Sequence, residues 1–238
     1  MTDTDFQLHY KFTFDDGRIK EFDVRLNPHT MDLRQAEHKN LPDWTKLSYE
    51  KCSNCPLDAG KHESCPIAAN LTDVIDFFKD CLSYEQVDVE IQTAARTFKK
   101  RTPIQNAVSS LIGIYMVTTG CPILSKLKPM VATHLPFASL EETIYRSITT
   151  YLLAQYFLAR KGEKPDWELR NLPKLYEEIQ TVNRGFFQRI SKVHVQDAGL
   201  NALVHLDCFA RFMNMSLLET DMAEMAKPFN AYLSPEGK

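Results

Sequence analysis

An unbroken two-residue period opens the chain. Phe6, Leu8, Tyr10, Phe12 and Phe14 alternate with Gln7, His9, Lys11 and Thr13. Successive side chains of an extended strand point to opposite faces, so this pattern calls for a strand with one buried face. Asp15-Asp16-Gly17 follows, and glycine accepts the positive φ that a tight hairpin turn needs. Phe22, Val24 and Leu26 share one parity on the return strand while Ile19 takes the other, which requires either a bulge or a solvent-facing Ile19. Val87, Val89 and Ile91 repeat the alternation and predict a third strand running toward Phe98. A lone hairpin is marginal in water, so something must cover the apolar face.

The cover is predicted to be helical. Pro66 suits the first turn of a helix, where its missing N–H costs nothing, and Ile67, Leu71, Val74, Ile75, Phe78 and Leu82 follow at helical spacing. Pro42 and Trp44 mark residues 28–50 as an ordered loop. From Thr102-Pro103 onward the period is that of helices. Ile104 to Tyr115 form one stripe that stops at Gly120, and a shorter helix starts at Pro122. Ser139 with Glu142 forms a capping box for a helix reaching Gly162. Two more helices are predicted, from Asn171 to His194 and from Asp197 to Glu224. The fold class is α+β: a small antiparallel sheet with one helix, then a bundle-like helical region. The corresponding divisions are 1–101, 102–226 and a loose tail at 227–238.

Charge and composition exclude several functions. With 28 Lys and Arg against 31 Asp and Glu, the net charge is −3, so a dedicated nucleic-acid binder is not expected. Glycines number 8 and no phosphate-loop, dinucleotide, nucleophile-elbow or zinc-protease motif occurs. No Glu-x-x-His pair supports a di-iron bundle. The most apolar window, Ile144 to Leu158, is broken by Arg146 and Gln155, which argues against a membrane span. The first residues lack the basic and apolar regions of a secretory leader. A cytoplasmic location with reduced cysteines is the expectation.

The chemistry concentrates between residues 52 and 65. Cys52, Cys55, His62 and Cys65 read C-x2-C-x6-H-x2-C. Zinc takes four sulfur or nitrogen ligands in a tetrahedron, and this segment supplies four without outside help. Free thiols or a disulfide account for the same residues, and spacing does not separate the three readings. Cys121, ahead of Pro122, is either a reactive thiol beside a helix N-terminus or the fourth member of the cluster in place of His62. Cys65 shares that reactive setting. His134, between two helices, is a candidate base for Cys121, or a loop histidine packed on a helix end. Cys81 and Cys208 lie on apolar stripes and read as core. Glu142 and Arg146 suit a solvated i,i+4 pair. Arg96, Lys99, Lys100 and Arg101 suit either contact with an acidic partner or a charged strand edge.

Cys52-Ser53-Asn54-Cys55-Pro56-Leu57, Thr119-Gly120-Cys121-Pro122 and His134-Leu135-Pro136-Phe137 together resemble a family of uncharacterised bacterial proteins, over most of the chain. The resemblance implies a bacterial cytoplasmic origin and carries no activity with it. Three functions remain: a non-enzymatic binding or regulatory protein whose Cys-rich loop holds zinc, with a protein as partner; a thiol redox sensor or enzyme using Cys121 or Cys65 with His134; or an interaction scaffold without metal.

Overall fold

A computed structural model describes residues 4–34, 40–193, 197–219 and 223–233. Strands β1 (Phe6–Phe14) and β2 (Ile19–Leu26) form the hairpin read from the sequence, with Gly17 at φ +86° in its turn. Cross-strand pairing runs from Phe6–Leu26 to Thr13–Ile19 without a bulge, and Ile19 faces solvent. Strand β3 (Gln86–Gln92) pairs antiparallel with β1, and β4 (Thr97–Pro103) with β3. The strand order is β2-β1-β3-β4.

Two expectations are corrected in this region. The third strand does not run on to Phe98: the chain turns back, the Thr93 amide donates to the Arg96 carbonyl, and β4 becomes a fourth strand. Thr102 therefore lies in β4 and not at a helix cap; Pro103 precedes the first residue of α2 (Ile104–Thr118). The basic run is indeed a sheet edge. Lys99 and Arg101 point to the solvent side, pairing with Glu90 at 2.7 Å and with Asp15 and Asp88 at 2.8 and 3.1 Å. Lys100 has the opposite parity, that of Phe98 and Thr102, so it belongs to the inner face.

One face of the sheet is covered. Leu8, Tyr10, Phe12, Val24, Leu26, Val87, Val89 and Ile91 are buried there, against α1 (Pro66–Phe78), where Phe12 meets Phe78 edge-on at 5.0 Å. Helix α1 stops before Leu82. Helix α2 ends at Gly120 with φ +97°, the left-handed position that favours glycine. A 3-10 turn (Leu124–Leu127) leads into the short α3 (Lys128–Ala132). The Ser139–Glu142 capping box starts α4 (Leu140–Arg160). Helix α5 (Leu172–Ser191) packs against α6 (Asp197–Glu219), and α6 against α2. The predicted end of α5, His194, lies outside the described residues, as do 234–238. The last predicted helix stops at Glu219, short of Glu224, and a short α7 (Ala223–Ala226) follows; the segment expected as a loose tail opens with a 3-10 turn at Lys227–Phe229 and α8 (Asn230–Leu233). The chain is an α+β protein with a helical C-terminal region. No described helix is long and apolar enough to cross a membrane.

Candidate functional site

The structure divides the predicted site residues between two cavities. Cys52 and Cys55 sit on one tight turn, closed by the Cys55 amide donating to the Cys52 carbonyl at 3.0 Å. That turn is fastened to α5 by Asn54, whose Nδ2 donates to the Glu178 carbonyl at 2.9 Å. Cys65 is the N-terminal cap residue of α1, without a side-chain capping bond. Cys121 follows the end of α2. These four cysteines line one small apolar pocket, about 20 Å³ in volume, with Ile67, Ile123, Val182 and Phe186 around them.

His62 does not join them. It is exposed, its amide bound back to the Asp58 carbonyl at 2.9 Å. The reason is local: residues 58–62 form a turn on the outside of the loop, while Cys65 is drawn inward with α1, its amide donating to the Thr45 carbonyl at 2.8 Å. The four-residue set Cys52, Cys55, His62 and Cys65 is therefore not assembled. Among the described residues, no group of three or more His, Cys, Asp or Glu side chains stands arranged to hold a metal ion. All six cysteines are free, so the disulfide reading finds no counterpart. Cys81 is buried as predicted, but Cys208 is exposed.

Contact between the 52–55 turn and α5 is unusually close. A Cβ on Gly185 would stand 2.8 Å from Cys52 Sγ and 3.2 Å from Cys52 Cα. Glycine inside a helix costs about 1 kcal/mol against alanine, and here the missing side chain makes room for the turn. Burial pushes the Cys52 thiol up to about 11; Cys65, Cys55 and Cys121 add to the rise, and Arg189 opposes it. Cys121 is also pushed up by burial, which outweighs the amides of Ile123 and Leu124 that favour its thiolate. A low-pKa nucleophile is not what these surroundings make.

Arg189, on α5, is buried, with 1% of its surface exposed. Its Nη1 donates to the carbonyls of Trp44 at 2.5 Å and Lys46 at 2.8 Å, and Nη2 reaches the Glu50 carbonyl at 3.4 Å. It pins the loop that leads into Cys52. No carboxylate is ion-paired with it among the described residues.

The second cavity is much larger, about 440 Å³, between the inner end of β4, α2, the 134–138 segment and helices α4 to α6. His134 lines this cavity and not the cysteine pocket, so it is not paired with Cys121. Its Nε2 lies 2.8 Å from the Tyr10 hydroxyl and 3.3 Å from Ser110 Oγ, which are themselves 3.0 Å apart. Burial, aided by the charge of Arg146, lowers the imidazole to about 4, so it is neutral near pH 7. Burial likewise lifts the Tyr10 phenol well above its ordinary range.

Arg146 departs from its expected surface role. Glu142 turns back to cap Ser139, and among the described residues Arg146 is not ion-paired with it. Arg146 turns inward to line the cavity, donating through Nη2 to the carbonyls of Met130 at 2.6 Å and Thr133 at 3.1 Å. Its buried Nε has no partner, nor has the buried Oδ1 of Asn106, another lining residue. Lys100 sits at the rim with its ammonium 5.5 Å from the centre of the Phe137 ring. Phe137 is held at φ +62°, a conformation that bulky residues seldom adopt. Among the described residues, two cations and two histidines line the cavity, and no Asp or Glu does.

Sequence reading missed Arg146, Lys100, Asn106, Ser110 and Tyr10 as a group, because no local spacing joins them. Gly185 in mid-helix was the one legible signal for the close contact at Cys52.

The site features define an α+β protein with a ligand-sized apolar cavity and a separate cysteine-lined pocket. The chain belongs to the family described as Domain of unknown function (DUF6901), whose model matches residues 8–230. No curated protein and no solved structure matches it.

Proposed function

We propose that the protein is a non-enzymatic binding protein whose large cavity takes an amphipathic anion, an apolar body ending in a carboxylate. One observation carries the reading: a cavity of about 440 Å³ lined by the half-buried Arg146, whose buried Nε has no partner, with no carboxylate among its described lining residues. The volume falls in the range of small-molecule sites, about 300–1,000 Å³. Leu124, Val131 and Ile179 among the lining residues suit an apolar body. A carboxylate on Arg146 would satisfy the free Nε–H with a charge-assisted bond, roughly twice as strong as a neutral one. Lys100 at the rim would draw the same charge in, and the Asn106 carbonyl offers an acceptor to a hydroxyl or amide on the ligand.

Calorimetry with decanoate, decanol and decylamine tests this. Decanoate binding at least about tenfold tighter than decanol, with the preference lost in Arg146→Gln, is the expected result; tenfold corresponds to about 1.4 kcal/mol. Equal affinity for all three, or no binding, removes the reading.

A further inference from the structure

The cysteine pocket has no part in that reading, and its contents ask for a different occupant. Four cysteines from three separate stretches of chain line one small apolar pocket: Cys52 and Cys55 from a single turn, Cys65 from the start of α1, and Cys121 from beyond the end of α2. The pocket walls offer no carboxylate, imidazole or amide in competition.

The second observation is electrostatic. Arg189 is a fully buried cation that donates to the carbonyls of Trp44, Lys46 and Glu50 and lies with its guanidinium 5.8 Å from the centre of the Tyr49 ring. An unpaired buried charge is costly, and proteins ordinarily neutralise it. Among the described residues no carboxylate is ion-paired with it, and it holds the loop that leads into Cys52. A metal held by four thiolates carries net negative charge, which is the complement the buried guanidinium lacks.

We propose that Cys52, Cys55, Cys65 and Cys121 are the four thiolate ligands of one soft metal centre, with Arg189 as its buried counter-charge. Four sulfur donors select zinc or an iron–sulfur cluster over oxygen-seeking ions. The ligand set replaces His62 with Cys121. The sulfurs do not yet enclose an ion, so binding draws the 52–65 loop inward. Each thiol gives up its proton to solvent as its bond to the metal forms, and the binding energy stabilises the folded loop. Residues 58–62 of that loop are exposed and can give. The 52–55 turn, fastened to α5 by Asn54 and packed on Gly185, sets Cys52 as the fixed corner.

The test uses full-length protein purified anaerobically under reducing conditions, with zinc, iron and acid-labile sulfide measured together. Sulfide accompanying iron identifies a cluster; zinc without sulfide identifies a single ion. The expected result is stoichiometric metal in the wild type and in His62→Ala, falling at least tenfold in Cys121→Ser. Buried Cys→Ser changes can unfold a protein by themselves. Metal-stripped wild type is therefore also titrated with Co²⁺, where visible bands typical of tetrahedral thiolate ligation are expected. Absence of retained metal together with absence of those bands overturns the proposal. So does metal that survives in folded Cys121→Ser but is lost in His62→Ala.

Discussion

The two cavities of this molecule are built on opposite plans. The larger is bounded by the edge strand β4 and by α2, α4, α5 and α6, and its lining mixes apolar side chains with Arg146, Lys100, His134 and Asn106. The smaller exposes no polar surface, and the 52–55 turn touches α5 closely enough to require a glycine. The larger leaves polar atoms without partners, as a site awaiting a ligand does. The smaller leaves the Cys52 and Cys121 thiols, which burial keeps protonated. Space with unpaired donors admits a molecule. Space barely wider than one water admits at most an ion or cluster that bonds to its walls.

The largest expected effect separates the two plans directly. Gly185→Val forces two methyl groups and a Cβ into the volume of Cys52, and overpacking of this kind costs about 3 kcal/mol. Chemical denaturation should show that loss, while decanoate affinity, corrected for the folded fraction, stays within about twofold. If decanoate affinity falls tenfold in protein that remains folded, the cavities are coupled and the contrast breaks.

A smaller effect belongs to the larger cavity alone. His134 is neutral in the folded protein down to about pH 4, whereas an unfolded histidine takes up a proton near 6.5. The unfolded chain therefore binds more protons between those values, and stability falls as pH drops through that window. The loss should reach about 2 kcal/mol, less than the full shift implies because the ring keeps some exposure. Denaturation from pH 7 to pH 4 in wild type and His134→Asn measures it. A variant with an unchanged pH slope would show that the imidazole is not the group responsible.

The smallest effect lies outside both cavities. Arg101→Ala removes the exposed pairs with Asp15 and Asp88 and should leave stability almost unchanged, because solvent screens such pairs. A Tm change beyond a few degrees would make the β4 edge a structural support of the cavity beneath Lys100.

Much of the fold was legible because strands and helices repeat with different periods. The β1–β2 hairpin, α1, the α4 capping box and the Gly120 stop all follow from neighbouring residues. Strand β4 was not legible. Its inner-facing positions are Phe98, Lys100 and Thr102, and a lysine there breaks the alternation because it rims a cavity instead of filling the core. The cysteine spacing indicated a loop that folds around sulfur, but a sequence window shows four donors in a row and not which one the backbone turns outward. His62 was the obvious fourth by proximity; Cys121 arrives only through tertiary packing. Arg146 was hidden by a convincing alternative, since Glu142 stands one turn away on the same helix and was already engaged as a cap.

The grip of Arg189 on residues 44–50 has an evolutionary consequence. It holds main-chain oxygens of Trp44, Lys46 and Glu50, which every amino acid possesses. The side chains of Trp44 and Lys46 can therefore drift without releasing these bonds, whereas all three bonds rest on one codon in α5. Variation should be tolerated on the rope and punished at the cleat.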